Sequence, residues 1–300
     1  MKYEISQRAY VDFLNTLTYQ QQAVNTIEPP GSATGTPAMI ASGRNYIEIK
    51  IPGVDPSTPA VYGIDGDNDN LYDEPTDGEW ISLFGNLWWQ LCAYLDWAAL
   101  RPMTETEFEK ICRGPLTPSI NEFAWANSDV FNSPYTLTAA AFNSETASNS
   151  STTQGNANYL STDPGGSMRN GIFATANSDR TTSGASYYGV MEMSGNIWER
   201  VVCVGNVAGR SFQGNLGDGS LMNSGYANVD YWPGINGNFS SGAANTVFGG
   251  TTGVINSAGS GWRGGQFDTS DSNLRISDRE LASRAGNLIL SGGRGVRQAD

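Results

Sequence analysis

The 300-residue sequence contains no histidine. Histidine is the usual general base near neutral pH and the commonest metal ligand, so its absence excludes Ser-His and Cys-His nucleophile pairs and histidine-held metals. Cysteine is scarce as well, and the widely spaced Cys92, Cys112 and Cys203 make neither a disulfide framework nor a zinc cluster. We expect all three to be buried as small hydrophobic side chains.

Positive charge is also in short supply. The chain has 17 Lys and Arg against 30 Asp and Glu, a net charge of -13. Phosphate backbones and anionic membranes are bound through Lys and Arg, so nucleic acid and membrane surfaces are not expected as partners. No run approaches 18 apolar residues, and the opening MKYEISQRAYVDFLN has no apolar core of a signal peptide, so we expect neither membrane insertion nor a signal peptide.

Glycine and small polar residues dominate what is present. The 36 Gly and 13 Pro predict a loop-rich fold, and 39% hydrophobic residues are enough for a core. No repeat of fixed period stands out, so residues 1–300 are interpreted as one domain.

Several short elements can be predicted from local patterns. Residues 3–6 alternate like a strand, and a helix is expected after Ser6, which can serve as its N-cap. The run NYIEIKI (45–51) also alternates like a strand. Residues 86–114 predict two helices separated at Arg101-Pro102, the second opened by a capping box of Thr104 and Glu107.

An acidic stretch at residues 65–80 is similar to a calcium loop. Asp65, Asp67 and Asp69 alternate, but Asn70 stands where the turn glycine belongs and Thr76 where the bidentate Glu belongs. We interpret the stretch as a solvated acidic turn, with a weak cation site as the alternative.

The stretch YGVMEMSGNIWERV (188–201) places Gly195, Asn196, Trp198 and Glu199 side by side. Trp198 and its apolar neighbours are typical of a core, and Asn196 of a tight turn. Carboxylates beside backbone carbonyls would equally suit a hard cation such as Ca²⁺. Both interpretations remain open at this point.

Several separated segments resemble, in the same order, the formylglycine-generating-enzyme-like family. That resemblance implies an α+β fold of the C-type-lectin-like kind, with two helices around a small twisted antiparallel sheet and much irregular backbone. The segments are KYEISQRAYVDFLN (2–15), LRPMTETEFEKICRG (100–114), GVMEMSGNIWERV (189–201), WRGGQF (262–267) and GGRGVR (292–297).

The same resemblance implies a structural Ca²⁺ site in the third segment. The side chains of Glu192 and Glu199 and the carbonyls of Gly195 and Ile197 stand at the family's calcium-ligand positions. Glu192 replaces a common asparagine and keeps an oxygen donor.

The residues that carry out the family's known chemistry are absent from this sequence. Formylglycine formation relies on two cysteines close before the terminal Gly-Phe-Arg, and residues 277–297 contain none. A related branch holds iron with three histidines, which this chain does not have. We therefore expect no enzyme, with catalysis by carboxylates alone as a formal alternative.

The C-terminal region resembles one group with this fold, the variable proteins of diversity-generating retroelements. Residues 261–297 are the candidate variable segment, which would bind an unknown protein or surface-glycan receptor from a phage virion or a bacterial surface. One alternative is that residues 288–291 form a plain buried strand beside residues 295–297. Another is that the whole chain is a structural or accessory domain without variation.

Within that segment some residues are expected to hold the frame and others to contact a ligand. Arg263, Asp278 and Arg297 are expected to make charge-assisted bonds within the frame. The expected contacts are aromatic, charged or apolar residues on loops, which commonly anchor interfaces. They are Tyr231, Trp232, Phe267, Asp268, Glu280, Leu281, Arg284, Asn287, Leu288 and Ile289.

Overall fold

The computed structural model describes residues 1–160, 164–235, 253–283 and 291–298, and these contain short helices and short strands. The helices are α1 (Gln7–Leu14), α2 (Tyr19–Asn25), α3 (Trp88–Trp97), α4 (Glu105–Arg113), α5 (Val207–Arg210) and α6 (Asp271–Leu274). The strands are β1 (Ile47–Ile51), β2 (Val61–Ile64), β3 (Arg101–Pro102), β4 (Leu137–Thr138), β5 (Thr146–Ala147), β6 (Glu199–Val202), β7 (Ser260–Arg263) and β8 (Gly295–Val296). This mixture confirms the predicted α+β class and its irregular backbone.

The strands pair as two-stranded antiparallel ladders: β1 with β2, β3 with β8, β4 with β5, and β6 with β7. The single small sheet that the resemblance implied is therefore divided into short ladders among the described residues. One reason is visible after β7, where Gly264 and Gly265 adopt φ values of 90° and 75° and turn the chain away from its partner. The ladders of β6 and β8 bring residues 199–202, 260–263 and 101–102 into one region.

The first helix forms as its sequence predicts. The Ser6 side chain caps α1 by accepting a hydrogen bond from the amide of Ala9. Tyr10, Phe13 and Leu14 lie on the buried face. The strand predicted at residues 3–6 is reduced to one bridge, between Ser6 and Ser82. The strand predicted at residues 45–51 is confirmed as β1.

The predicted helix pair is confirmed as α3 and α4. The capping box of α4 is complete: the Glu107 amide donates to the Thr104 hydroxyl (3.1 Å), and the Thr104 amide donates to the Glu107 carboxylate (2.9 Å). Gly114, with φ of 60°, follows the last turn of α4. No helix within the described ranges is long and apolar enough to span a membrane.

Two hydrophobic clusters hold these elements. In one, α1 and α3 pack through aromatic rings, with Phe13 and Tyr94 5.7 Å apart between centroids. In the other, Phe108 of α4 packs with Met193 and Leu274, which joins α4 to the segment 188–201 and to α6. The three cysteines are buried and free, as the sequence predicts.

Candidate functional site

Asn196 lies at the centre of a buried hydrogen-bond network that joins distant parts of the chain. Its side-chain nitrogen donates to the Glu4 carboxylate (2.6 Å) and to the Ser82 hydroxyl (2.8 Å). Its side-chain oxygen accepts from the Met168 amide (2.8 Å) and from the Asn158 side chain (3.1 Å). All four hydrogen-bonding positions of the carboxamide are used, which explains why an asparagine stands here.

The neighbours of Asn196 fit the same structural role. Gly195 has φ of 92°, and a Cβ there would lie 2.7 Å from the Asn158 carbonyl oxygen, so only glycine is accommodated. Trp198 is buried, 6.5 Å from Trp262 between ring centroids. The core interpretation of residues 188–201 is therefore confirmed for Trp198, and the turn interpretation for Asn196, whose φ is 69°.

A buried ion pair lies beside this network. The Arg294 Nε donates to the Glu199 Oε1 (2.5 Å), and both side chains are 0% exposed. Arg294 also donates to the Lys2 carbonyl (3.1 Å). Arg294 was not predicted from the sequence, and Arg297, which was expected in the frame, is exposed. The one available signal was an arginine between glycines in GGRG, which a glycine-rich loop makes easy to overlook.

Carboxyl groups outnumber the positive charge in this interior. Within the described chain, Glu4 Oε1, Glu192 Oε2 and Glu199 Oε2 are buried and have no hydrogen-bond partner. Burial raises the pKa of Glu4 well above its usual value and that of Glu192 to about 7. A small cavity of about 10 Å³ borders Glu192, Asn158 and Asn196 and has room for about one water molecule.

These contacts test whether Ca²⁺ fits at Glu192, Gly195, Ile197 and Glu199. The Glu199 carboxylate is already bound by the Arg294 guanidinium. Like charges 4 Å apart repel by about 4 kcal/mol per pair of unit charges at an effective dielectric constant of 20, and a divalent ion doubles that. The donor set therefore does not fit a divalent ion while Arg294 stays in place.

The acidic stretch forms a turn in which Asp65, Asp67 and Asp77 have carboxylate oxygens within 4.8 Å of one another. Asp65 accepts hydrogen bonds from the backbone amides of residues 69 and 70, at 3.1 and 3.0 Å, and Asp77 from those of residues 66 and 74. The turn therefore satisfies two of its own carboxylates with amides. A cation site there stays a prediction, and Asp77 joins the cluster instead of the expected Asp69.

Arg263 anchors the start of the C-terminal segment, as expected. It is buried between Glu105 (3.3 Å) and Glu109 (3.2 Å) of α4, and it also donates to the carbonyl of Ile276. Asp278 makes only local bonds among those described, accepting from the Asn273 side chain (3.1 Å) and from an amide two residues on.

Buried and exposed side chains alternate in the segment that follows Arg263. Leu274, Ile276 and Ala282 are buried and attach the segment to the protein. The exposed positions between Phe267 and residue 283 are Asp268, Ser272, Ser277, Arg279, Glu280 and Ser283. Side chains at these positions are accessible without rearrangement of the core.

The predicted contact residues divide into four groups. Asp268 and Glu280 are exposed, and Tyr231 and Leu281 are half-buried. Arg284, Asn287, Leu288 and Ile289 lie outside the described residues, as does most of the strand considered at 288–291. Trp232 and Phe267 are buried.

The prediction that Trp232 and Phe267 contact a ligand is therefore wrong. Trp232 is fully enclosed and donates from its indole nitrogen to the Asn215 carbonyl (2.9 Å). Phe267 packs edge-on against Phe84, with centroids 5.2 Å apart. Neither ring can touch a ligand in this arrangement. They were expected to contact a ligand because aromatic residues on loops commonly anchor interfaces, whereas here the rings attach their loops to the protein interior.

Comparison with known proteins gives a family match and similar solved structures. A family model described as the sulfatase-modifying factor enzyme 1-like domain matches residues 1–281. The structure of PvdO from Pseudomonas aeruginosa is similar over 97% of this chain and 77% of its own, at 13% identity and a TM-score of 0.36. The sequence matches none of the curated proteins.

Proposed function

The chain belongs to the family of sulfatase-modifying factor enzyme 1-like domains, and we propose that it is a non-catalytic binding protein within that family. It uses the fold to display a changeable C-terminal surface, as the variable proteins of diversity-generating retroelements do. Its ligand would be a protein or surface-glycan receptor, met from a phage virion or a bacterial surface.

The lack of histidine and the burial of the cysteines support a non-catalytic role. The sequence has no histidine, and no cysteine follows Cys203. Burial raises the pKa of Cys112 to about 12 and that of Cys92 well above its usual value. The thiolate is the reactive form of cysteine, so buried thiols of this kind are poor nucleophiles and poor copper ligands.

The observation that carries the binding proposal is that, after Arg263, some side chains are buried and attach the segment while others between them are exposed. Arg263 near the start of the segment and Arg294 near its end are both fully buried and paired with carboxylates. Between them, Leu274, Ile276 and Ala282 attach the segment to the protein, while the neighbouring exposed side chains contribute little to packing. A surface built in this way tolerates many sequences on one frame.

Sequencing of the gene and its flanks in several isolates tests the proposal. We expect substitutions in codons 261–297 to fall at exposed positions such as Asp268 and Glu280 and to arise from adenines. Codons for Arg263, Ile276 and Arg294 should stay fixed, and a nearby reverse transcriptase should accompany a template repeat. A uniform segment without such a repeat would overturn the proposal and favour the structural or accessory alternative.

A further inference from the structure

We propose that the Arg294 guanidinium supplies the positive charge at the turn formed by residues 192–199, in the place where the family resemblance implies Ca²⁺. The protein thus carries a built-in cation in its own chain. This role belongs to the fold, and it holds whether or not the C-terminal surface binds a receptor.

The backbone around Arg294 is shaped to deliver its side chain to Glu199. The Gly292 amide donates to the Trp198 carbonyl (3.0 Å), which sets the two segments side by side. A Cβ at Gly292 would lie 1.9 Å from the Ile197 Cδ1, so a larger residue would push the segments apart. A glycine at this position therefore permits the 2.5 Å contact between Arg294 Nε and Glu199 Oε1.

The Arg294 guanidinium faces three carboxyl groups. Arg294 interacts most strongly with Glu199 and more weakly with Glu4 and Glu192. The other two carboxylates have donors of their own: Glu4 accepts from the Asn196 side chain (2.6 Å), and Glu192 accepts from the Gly171 amide (2.7 Å). Arginine only donates hydrogen bonds, keeps its charge, and cannot be removed by a chelator.

Thermal unfolding in EDTA and in millimolar CaCl₂ tests this assignment. All variants carry Asp67→Asn, which weakens the acidic turn as a competing calcium site. In this background we expect the same Tm in both buffers when Arg294 is present. Arg294→Met should lower the Tm in EDTA by about 10 °C, because it strands a buried carboxylate. Calcium should restore most of that loss, since the oxygens of Glu192 and Glu199 become available.

The matched control is Arg263→Met. It removes another fully buried arginine and so takes an ion-pair partner from Glu105 and Glu109. It should lower the Tm in both buffers without recovery in calcium. Recovery confined to Arg294→Met would thus separate replacement of an ion from general destabilisation.

Two results would overturn the proposal. One is calcium stabilisation of the protein with Arg294 intact, lost on Glu192→Gln. The other is a folded Arg294→Met variant that ignores calcium. If Arg294→Met does not fold in either buffer, Tb³⁺ luminescence excited through the tryptophans decides, with Arg294 intact. A signal that Glu192→Gln abolishes overturns the proposal, and the lack of a signal supports it.

Discussion

At the scale of single residues, Asn196 shows how one side chain can hold together segments that are far apart in the sequence. It adopts a left-handed φ of 69°, which asparagine tolerates better than most residues. It also uses both donors and both acceptor positions in the interior. Conformation and hydrogen bonding therefore favour the same residue at this position.

Replacement of Asn196 by alanine should be strongly destabilising. It leaves the Met168 amide and the Ser82 hydroxyl each without one partner, and unsatisfied buried groups cost about 1–3 kcal/mol each. We expect a loss of about 3 kcal/mol or more in urea unfolding. Asn177→Ala, at an exposed position, should change stability by less than about 0.5 kcal/mol. Equal effects of the two variants would contradict the role of Asn196.

Glu192 predicts how stability depends on pH. Its pKa is about 7 in the folded protein, raised from 4.5 mainly by burial, so the folded state holds this proton more tightly than the unfolded state. The resulting stabilisation is fully present below pH 4.5 and is lost as the pH rises through about 7. The loss is at most about 3 kcal/mol.

Urea unfolding between pH 4.5 and 8 measures this effect. Glu192→Gln mimics the protonated carboxyl and should flatten the decline, whereas Glu280→Gln, at an exposed position, should leave it unchanged. A decline that persists in Glu192→Gln would assign the pH dependence to other groups.

Residues with local partners were predictable from sequence, and residues with distant partners were not. Ser6 and Thr104 act on amides three residues away, so a short pattern reveals them. Arg294 and Glu199 are 95 positions apart, and no local pattern connects them. Trp232 was misjudged for the same reason, because its burial depends on segments elsewhere in the chain.

At the scale of elements, α4 is the best-specified part of the chain. Its capping box, its buried Phe108 and its glycine stop agree with one another. The same helix presents Glu105 and Glu109 to Arg263, so it positions the start of the C-terminal segment. Short strands such as β3 and β8 were not predictable, because two residues carry no alternation.

Thr104→Ala should destabilise the protein by about 1 kcal/mol, because the first turn of α4 loses its side-chain acceptor. Thr104→Ser keeps the hydroxyl and is the matched control, with an expected change of a few tenths of a kcal/mol. Chemical unfolding of both variants measures the difference. Equal losses would show that the methyl group, rather than the cap, matters.

At the scale of the whole molecule, the fold separates the positions that hold the frame from those that meet solvent. The C-terminal segment repeats this separation within about twenty residues, between Gly264 and Ser283. Two of its buried residues, Leu274 and Ile276, share one cluster with Phe108 of α4 and with Met193 of the turn at residues 192–199.

Simultaneous replacement of Ser277, Glu280 and Ser283 by alanine should therefore change stability by less than about 1 kcal/mol. Ile276→Ala, a single change at a buried neighbour, should cost about 3 kcal/mol. Urea unfolding compares the two. A triple variant as unstable as Ile276→Ala would mean that the exposed side chains help to hold the fold.

The network around Asn196 also determines when the protein can fold. Asn196 bonds to residues 192, 114 and 38 positions earlier in the chain. Contacts across such long loops close late and slow the folding reaction, since loop closure costs chain entropy before the bonds form. A growing chain on the ribosome exposes the apolar helix α3 long before Asn196 or Arg294 has been synthesised. We therefore expect this network to form only after residue 294 has been synthesised. Until then the apolar helix α3 needs protection from aggregation if the protein is to be recovered folded.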